Sequence, residues 1–193
     1  MVSEIYLLRH GETEWTISGR HTGITEVLLT KNGEKEAMEA GQRLQKITFD
    51  RVLTSPRKRA QRTCDLAGLG SNIEINNDLS EWNYGDYEGL LQSEIQKLQP
   101  GWNVFEYGCP RGESPEQVSN RVDRLLSKLR QTKGKIALVS HGHFTRALAI
   151  RWVGLPIQYG NILSSSTASI SILGFNENNG QPLIKLWNQT LKL

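Results

Sequence analysis

Two histidines of this sequence each stand at the end of an apolar segment and directly before a glycine. His10 closes the segment YLLRH after Arg9, and His141 closes ALVSH before Gly142. An imidazole can attack, donate a proton or accept one near neutral pH, and a following glycine lets the backbone approach a ligand closely. Two polar turns after two strands would give the same pattern. The functional interpretation therefore depends on which other residues gather around these histidines.

A run of cations begins the segment SPRKRAQRT, at Arg57, Lys58 and Arg59. The segment is expected to start a helix that is capped by Ser55. Positive charges in the first turn oppose the positive end of the helix dipole, so the pattern favours an anion nearby. Arg57 and Lys58 are expected to be solvated. Arg59 is the candidate for a side chain that faces inward and contacts a ligand.

A phosphoryl group fits this set of side chains. Arg9 and Arg59 can each direct two N–H groups at its oxygens, and His141 can add a third donor. His10 is the candidate nucleophile, because a neutral imidazole attacks phosphorus and forms a labile phosphohistidine. The charge of the transferred group is then met by guanidinium and imidazole groups, so this chemistry needs no metal.

The leaving oxygen needs a proton, and the turn-rich segment LSEWNYGDYEG offers three carboxyl groups: Glu81, Asp86 and Glu88. A carboxyl group beside the phosphoryl group could act as an acid and then as a base toward water. Composition does not distinguish the three. Each of them fits an exposed turn residue as well.

The composition of the chain limits the classes of function. It has 193 residues, 37% hydrophobic and 22% charged, which fits one domain over residues 1–193. No apolar run suits a membrane span or a secretory signal. The two distant cysteines, Cys64 and Cys109, do not form a disulfide framework, so a cytoplasmic location is expected. A net charge of +3 gives no indication of a nucleic-acid partner and suits a small anionic ligand.

The elements that must position these residues alternate along the chain. Apolar runs predict strands at 5–8, 51–54, 135–139, 167–175 and 182–187, and helices at 31–46, from Ser55, at 92–98, 115–130 and 143–153. This order predicts an α/β fold, a three-layer sandwich with a mainly parallel central sheet and helices on both faces. Ligands of such sheets bind beyond the carboxyl ends of the strands. The strand at 167–175 either pairs in a homodimer or lies within the monomer.

Four motifs resemble, in order, those of the histidine phosphatase superfamily in its phosphoglycerate-mutase-like branch. LLRHGETEW resembles the Arg-His-Gly signature, SPRKRAQRT the second arginine, SEWNYGDYEG the acid segment and SHGHFTR the second histidine. The resemblance covers about residues 3–175. It implies a three-layer α/β fold, a phosphohistidine at His10, no metal, a second arginine at Arg59, a second histidine at His141 and the proton donor at Glu81.

Within that branch the local pattern is more similar to the sedoheptulose bisphosphatase group than to the mutases. Mutases usually have Asn where this chain has Thr16, Arg where Trp82 follows the acid, and an arginine pair that GWNVFEYGCPRGES lacks. A mutase must exclude water from its phosphoenzyme, so these departures favour hydrolysis. For this group the substrate contacts are expected at Thr16, Thr22, Gly23, Tyr84, Trp102 and His143.

Three functions follow from these patterns. The first is a metal-independent phosphomonoesterase on a small phosphorylated metabolite, a sugar phosphate or bisphosphate. The alternatives are a phosphoglycerate mutase and a catalytically inactive module that binds a phosphorylated partner. His141 and His143 could also hold a metal with His10 or His21, but histidines one residue apart are a poor metal signal. His21 is otherwise expected in an exposed loop near the mouth of the site.

Overall fold

The computed structural model describes residues 2–70 and 72–190. The strands are β1 (Val2–Arg9), β2 (Arg51–Thr54), β3 (Ile73–Ile75), β4 (Gly134–Ser140), β5 (Ile170–Phe175) and β6 (Pro182–Gln189). The α-helices are α1 (Glu14–Ser18), α2 (Lys31–Leu44), α3 (Lys58–Leu66), α4 (Gln92–Leu98), α5 (Val104–Tyr107), α6 (Pro115–Arg130) and α7 (Gly142–Trp152). Within the described ranges, no helix has the length and apolar character needed to cross a membrane.

The strands form one six-stranded sheet in the order β3-β2-β4-β1-β5-β6. The first four are mutually parallel, and β5 runs antiparallel to both β1 and β6. The expected mainly parallel sheet is therefore confirmed. Both edges of β5 are hydrogen-bonded within the chain, so of the two placements left open for this strand the structure has the one within the monomer. A homodimer stays a prediction, and it would need another surface.

Alternate side chains of β1 enter the two layers that cover the sheet. Ile5 and Leu7 belong to the apolar cluster that includes α6 and α7, whereas Tyr6 and Leu8 belong to the cluster that includes α2 and α3. Burying one such aliphatic side chain contributes about 1.5–3 kcal/mol. Because β1 is covered on both faces, its carboxyl end at Arg9 is fixed in the middle of the sheet.

The helix starts agree with the sequence at two places and differ at one. Thr30 caps α2 and Ser114 caps α6, as their hydroxyl groups predict. The prediction that Ser55 caps the next helix is wrong, since α3 begins at Lys58 with Arg57 as its N-cap residue. Ser55 instead lies fully buried at the end of β2, where its hydroxyl group contacts a histidine of the site.

Three short elements were not expected from the sequence: α1, α5 and β3. They have five, four and three residues, too few to show a periodic pattern of apolar side chains. α1 matters for function because it closes one side of the site. It is held by a capping box in which Thr13 and Thr16 each bond the backbone N–H of the other.

Candidate active site

A cavity of about 190 Å³ opens beyond the carboxyl ends of β1 and β4. These strands are adjacent and in register, with Arg9 opposite Ser140, and the backbone N–H of His10 donates to the Ser140 carbonyl at 2.9 Å. The two histidine-bearing strand ends thus meet at one edge of the sheet. The predicted residues that line the cavity are Arg9, His10, Thr16, Thr22, Glu81, Tyr84 and His143.

His10 is held in one tautomer by its own turn. Its Nδ1 lies 2.8 Å from the carbonyl oxygen of Gly11, and because a carbonyl only accepts, Nδ1 carries the proton. Burial, followed by the charges of Arg59 and Arg9, holds the pKa of His10 well below its usual range. The imidazole is therefore neutral at neutral pH, with its free electron pair on Nε2.

His141 lies against His10 and has no exposed surface. The ring centroids are 5.2 Å apart, with the planes at 63°. Its Nε2 lies 2.7 Å from the Ser55 hydroxyl group, and its Nδ1 has no hydrogen-bond partner among the described residues. Burial and the charge of Arg59 hold the pKa of His141 well below its usual range. His141 is thus a second neutral imidazole behind the first.

Arg59 is fully buried, as its inward orientation required. Its Nη1 donates to the carbonyl of Thr25, and its Nη2 donates to those of Thr22 and Gly23 at 2.9–3.0 Å. A guanidinium has five N–H groups, so two remain beyond these three bonds. In addition to its expected role toward a ligand, Arg59 fixes the loop at 22–25.

The same loop is tied from its other side by Glu88. The carboxylate of Glu88 accepts from the backbone N–H groups of Gly23 and Thr25 at 2.9–3.0 Å. Gly23 lies against the Trp82 carbonyl, where a built Cβ would approach to 2.4 Å, so no larger residue fits. Gly23 therefore shapes the loop and is not among the residues that line the cavity.

A side chain of the protein lies at the start of α3, beside the run of cations. The carboxylate of Glu26 accepts from Nη1 of Arg57 at 3.2 Å and from the backbone N–H of Lys58 at 3.0 Å. The anion that the charge pattern predicted at this helix end is thus Glu26. It pairs the charge of Arg57 without a ligand, while Lys58 is exposed, and Arg59 is the one of the three cations that is fully buried.

The structure distinguishes the three carboxyl groups of the acid segment. Glu81 lines the cavity, Glu88 holds the loop at 22–25, and Asp86 forms an ion pair with Arg111. The Glu81 carboxylate accepts from the backbone N–H groups of Trp82, His143 and Phe144 at 2.9–3.0 Å. Two of these donors belong to the first turn of α7, so this helix end fixes the carboxylate beside His10.

A buried arginine supports the segment that carries Glu81. Arg121 of α6 donates to the carbonyls of Asp78 and Ser80 at 2.9 and 2.7 Å, and to both carboxylate oxygens of Glu113. Glu113 also accepts from the backbone N–H of Asn83 at 2.8 Å. No sequence pattern indicates this role for Arg121, because a lone arginine within a helix usually faces solvent.

The residues expected to contact substrate do not all lie in the cavity wall. Thr16 lines it, but its hydroxyl group is engaged in the cap of α1, whereas Tyr84 and His143 bond each other at 2.5 Å. The expectation for Trp102 is not met: its side chain is 2% exposed and packs against Tyr87, and its indole N–H donates to the Gly108 carbonyl. Trp102 therefore supports the wall from behind.

Seven further residues line the cavity, and three of them have basic side chains: Arg20, His21 and Arg146. We call the part of the cavity that these three residues line the outer cavity. His21 lies in a loop at the cavity, as expected, but the expectation that it is exposed is wrong. Its ring is half-buried and packs against Tyr84 and Trp102. Among residues 2–70 and 72–190, no group of three His, Cys, Asp or Glu side chains is placed to hold a metal ion, so the alternative of a metal at His141 and His143 gains no third ligand.

Enzymes that transfer a phosphoryl group through histidine use buried guanidinium and imidazole groups around one neutral histidine. Comparison with known proteins agrees with this class. The sequence profile of the histidine phosphatase superfamily (branch 1) matches residues 5–190. The chain belongs to that superfamily, and it is a phosphatase that acts on phosphorylated substrates, which confirms the resemblance found in the four motifs.

Individual relatives are similar over most of their length. An acid phosphatase from Mycobacterium tuberculosis is 47% identical over 175 residues, which cover 89% of this chain and 86% of that protein. A sedoheptulose 1,7-bisphosphatase from Saccharomyces cerevisiae is 33% identical over 186 residues, covering 79% of this chain and 68% of that protein. The solved structure of the open reading frame Rv3214 from Mycobacterium tuberculosis superposes with a TM-score of 0.90 at 43% identity, covering 97% of this chain and 98% of that one.

Proposed function

We propose that this phosphatase hydrolyses a small phosphorylated metabolite, a sugar phosphate or bisphosphate, through a phosphohistidine at His10. The observation that carries the proposal is the tautomer of His10. Its Nδ1–H is engaged by the Gly11 carbonyl, so the electron pair of Nε2 is free to attack in a cavity that Arg9 and Glu81 also line.

In the first step Nε2 of His10 attacks phosphorus, the N–P bond forms and the bond from phosphorus to the leaving oxygen breaks. Arg9 lines the cavity and is placed to offset the charge of the phosphoryl oxygens. Arg59 and His141 are buried behind the cavity wall and support the same charge from there. The leaving alkoxide takes a proton from the carboxyl group of Glu81. The products of this step are the free alcohol and the phosphoenzyme.

In the second step water replaces the alcohol. The Glu81 carboxylate takes a proton from the water, whose oxygen attacks phosphorus as the N–P bond breaks. Inorganic phosphate leaves, and His10 returns to its neutral form. One carboxyl group serves both half-reactions, which is consistent with its place beside the nucleophile.

The outer cavity supports a polar, anionic substrate. Arg20 and Arg146 line it in addition to Arg9, and Arg146 is oriented by a bond from its Nε to the Gly160 carbonyl at 2.9 Å. Guanidinium groups beyond the reacting centre suit a second phosphate or another anionic group of the metabolite. The similarity to a sedoheptulose 1,7-bisphosphatase supports the same substrate class.

A screen of phosphorylated metabolites, with released phosphate measured in the presence of a chelator, tests this function. We expect hydrolysis of an aryl phosphate and faster hydrolysis of one or more sugar phosphates or bisphosphates. Isomerisation of phosphoglycerate that depends on a bisphosphate primer would indicate a mutase instead. Binding of phosphorylated ligands without any hydrolysis would contradict the proposal and favour a binding module.

The substitution Glu81→Gln tests the proton donor. Glutamine keeps the size of the side chain but cannot give a proton to the leaving oxygen, so phosphohistidine formation is expected to slow by about 10²–10⁴-fold for alkyl phosphates. The loss is expected to be much smaller for an aryl phosphate such as p-nitrophenyl phosphate, whose leaving group needs little protonation. Single-turnover rates over a series of leaving groups measure this, and equal slowing across the series would reject Glu81 as the acid.

A further inference from the structure

Two imidazoles lie with parallel ring planes in the wall of the outer cavity. His21 and His143 both line the cavity, with ring centroids 6.0 Å apart and planes parallel to within 6°. Tyr84 packs edge-on against both rings, at 4.9 and 5.8 Å. The catalytic steps proposed above use neither imidazole, so their fixed arrangement needs another explanation.

The tautomer of His21 is fixed by the backbone. Its Nδ1 lies 3.0 Å from the Leu90 carbonyl oxygen, which can only accept, so Nδ1 carries the proton. Burial lowers the pKa of His21, which keeps the ring neutral near pH 7. The remaining nitrogen, Nε2, is therefore a hydrogen-bond acceptor.

The tautomer of His143 is the opposite one. Its Nδ1 lies 2.5 Å from the phenol oxygen of Tyr84. Burial raises the pKa of Tyr84 well above its usual range, and burial together with the charge of Arg146 lowers that of His143, so both groups are neutral. Tyr84 is 2% exposed and its hydroxyl group has no other hydrogen-bond partner among the described residues, so the phenol proton is donated to His143. Nδ1 of His143 accepts this bond, and Nε2 carries the N–H. His143 is therefore a hydrogen-bond donor.

We propose that His21 and His143 form a donor–acceptor pair that recognises the hydroxyl groups of a polyol phosphate. A hydroxyl group both donates and accepts, so two neighbouring hydroxyl groups can satisfy both nitrogens at once. Hydrogen bonds of imidazole nitrogens lie close to the ring plane, and the two planes are parallel, so each hydroxyl group would approach one ring at its edge. This inference rests on the proposed function, and it names the hydroxyl groups as the part of the substrate that the outer cavity recognises.

An alkyl or aryl substituent can satisfy neither nitrogen. In the bound complex it would displace water from both imidazoles and leave them without partners, which costs affinity in the transition state as well as in the ground state. The pair therefore discriminates by the substituent on the phosphate, whereas His10 and Glu81 act on every phosphate monoester. Tyr84 acts as a positioning residue, because its phenol determines which nitrogen of His143 is protonated.

Sorbitol 6-phosphate and n-hexyl phosphate are suitable probes, because both have six carbons and a primary alkoxide leaving group. We expect kcat/KM to be at least about tenfold higher for sorbitol 6-phosphate, a modest value for two hydrogen bonds in a site open to water. An equal or higher kcat/KM for n-hexyl phosphate would overturn the inference.

Two substitutions at one position separate the acceptor from the packing. His21→Asn places an amide where Nδ1 bonds Leu90 and leaves no acceptor at the position of Nε2, so the preference for sorbitol 6-phosphate is expected to fall by about tenfold. His21→Gln places an amide oxygen near the position of Nε2 and is expected to restore part of the preference. A preference unchanged in His21→Asn would contradict the inference.

The imidazole tautomers can be read directly from ¹⁵N NMR shifts of the wild-type protein, which does not depend on any variant folding. We expect the proton on Nδ1 of His21 and on Nε2 of His143, and loss of the second assignment in Tyr84→Phe but not in Tyr159→Phe, whose phenol is exposed. The same tautomer in both histidines would overturn the inference. The proposed function fails by a different result, namely no phosphate on His10 or no sugar phosphate hydrolysed.

Discussion

Replacing His10 with alanine is expected to abolish phosphoenzyme formation and to lower kcat for every phosphate monoester by at least about 10³-fold. The reason is that Nε2 of His10 is the nucleophile of the first step, with its electron pair freed by the bond from Nδ1–H to the Gly11 carbonyl. Steady-state phosphate release and single-turnover labelling measure the two effects. The loss should not depend on the leaving group, because without His10 no N–P bond forms with any substrate.

His10→Asn provides the control for this result. The asparagine amide can still donate to the Gly11 carbonyl, so the turn after β1 is preserved while the nucleophile is lost. We expect this variant to keep the melting temperature of the wild type within a few degrees and to be as inactive as His10→Ala. Acid-labile phosphate on another residue in either variant would reject His10 as the nucleophile.

The second large effect is expected at Arg59. Arg59→Ala removes a buried cation next to His10 and leaves the carbonyls of Thr22, Gly23 and Thr25 without their donor. We expect kcat/KM to fall by about 10²–10³-fold at neutral pH, as for the loss of a preorganised charge in other active sites. Arg62→Ala on the same helix is the matched control, because Arg62 is exposed and pairs with Glu34; it should leave kcat/KM unchanged.

The pH profile separates the two roles of Arg59. His10 must be neutral to attack, and its lowered pKa keeps it neutral in mildly acidic solution. Removing the Arg59 charge raises that pKa, so the acidic limb of kcat/KM should move to higher pH in Arg59→Ala. Arg59→Lys keeps the charge but loses the hydrogen bonds to the three carbonyls. The acidic limb of its kcat/KM profile should therefore stay near the wild-type position while kcat/KM falls. An unchanged limb in Arg59→Ala would contradict this role.

The inner site follows from the sequence because its residues sit at positions that the topology determines. His10 and His141 each follow an apolar strand, and parallel neighbouring strands bring their carboxyl ends together. Arg59 stood out as the cation expected to face inward. The choice of Glu81 over Asp86 and Glu88 came only from the resemblance, and the structure adds the physical reason: Glu81 alone of the three lines the cavity.

The outer site was much less predictable, because its residues come from segments without periodic pattern. The sequence predicts His21 in an exposed loop near the mouth and Trp102 at the substrate, whereas the half-buried histidine lines the cavity and the tryptophan lies behind its wall. The local sequence does not predict that Ser55 bonds His141 or that Arg121 supports the acid segment. Both contacts join residues at least 40 positions apart. Such long-range hydrogen bonds depend on the packed fold and not on composition or spacing.

The most direct test of the central claim is to trap the phosphoenzyme and determine where the phosphate is attached. Rapid quenching during turnover, peptide mapping at alkaline pH and ³¹P NMR of the isolated peptide identify both the residue and the ring nitrogen. Nucleophilic attack by the free electron pair predicts acid-labile phosphate on Nε2 of His10. Phosphate on Nδ1 of His10 or on any other residue, or phosphate release without a covalent intermediate, would contradict the mechanism.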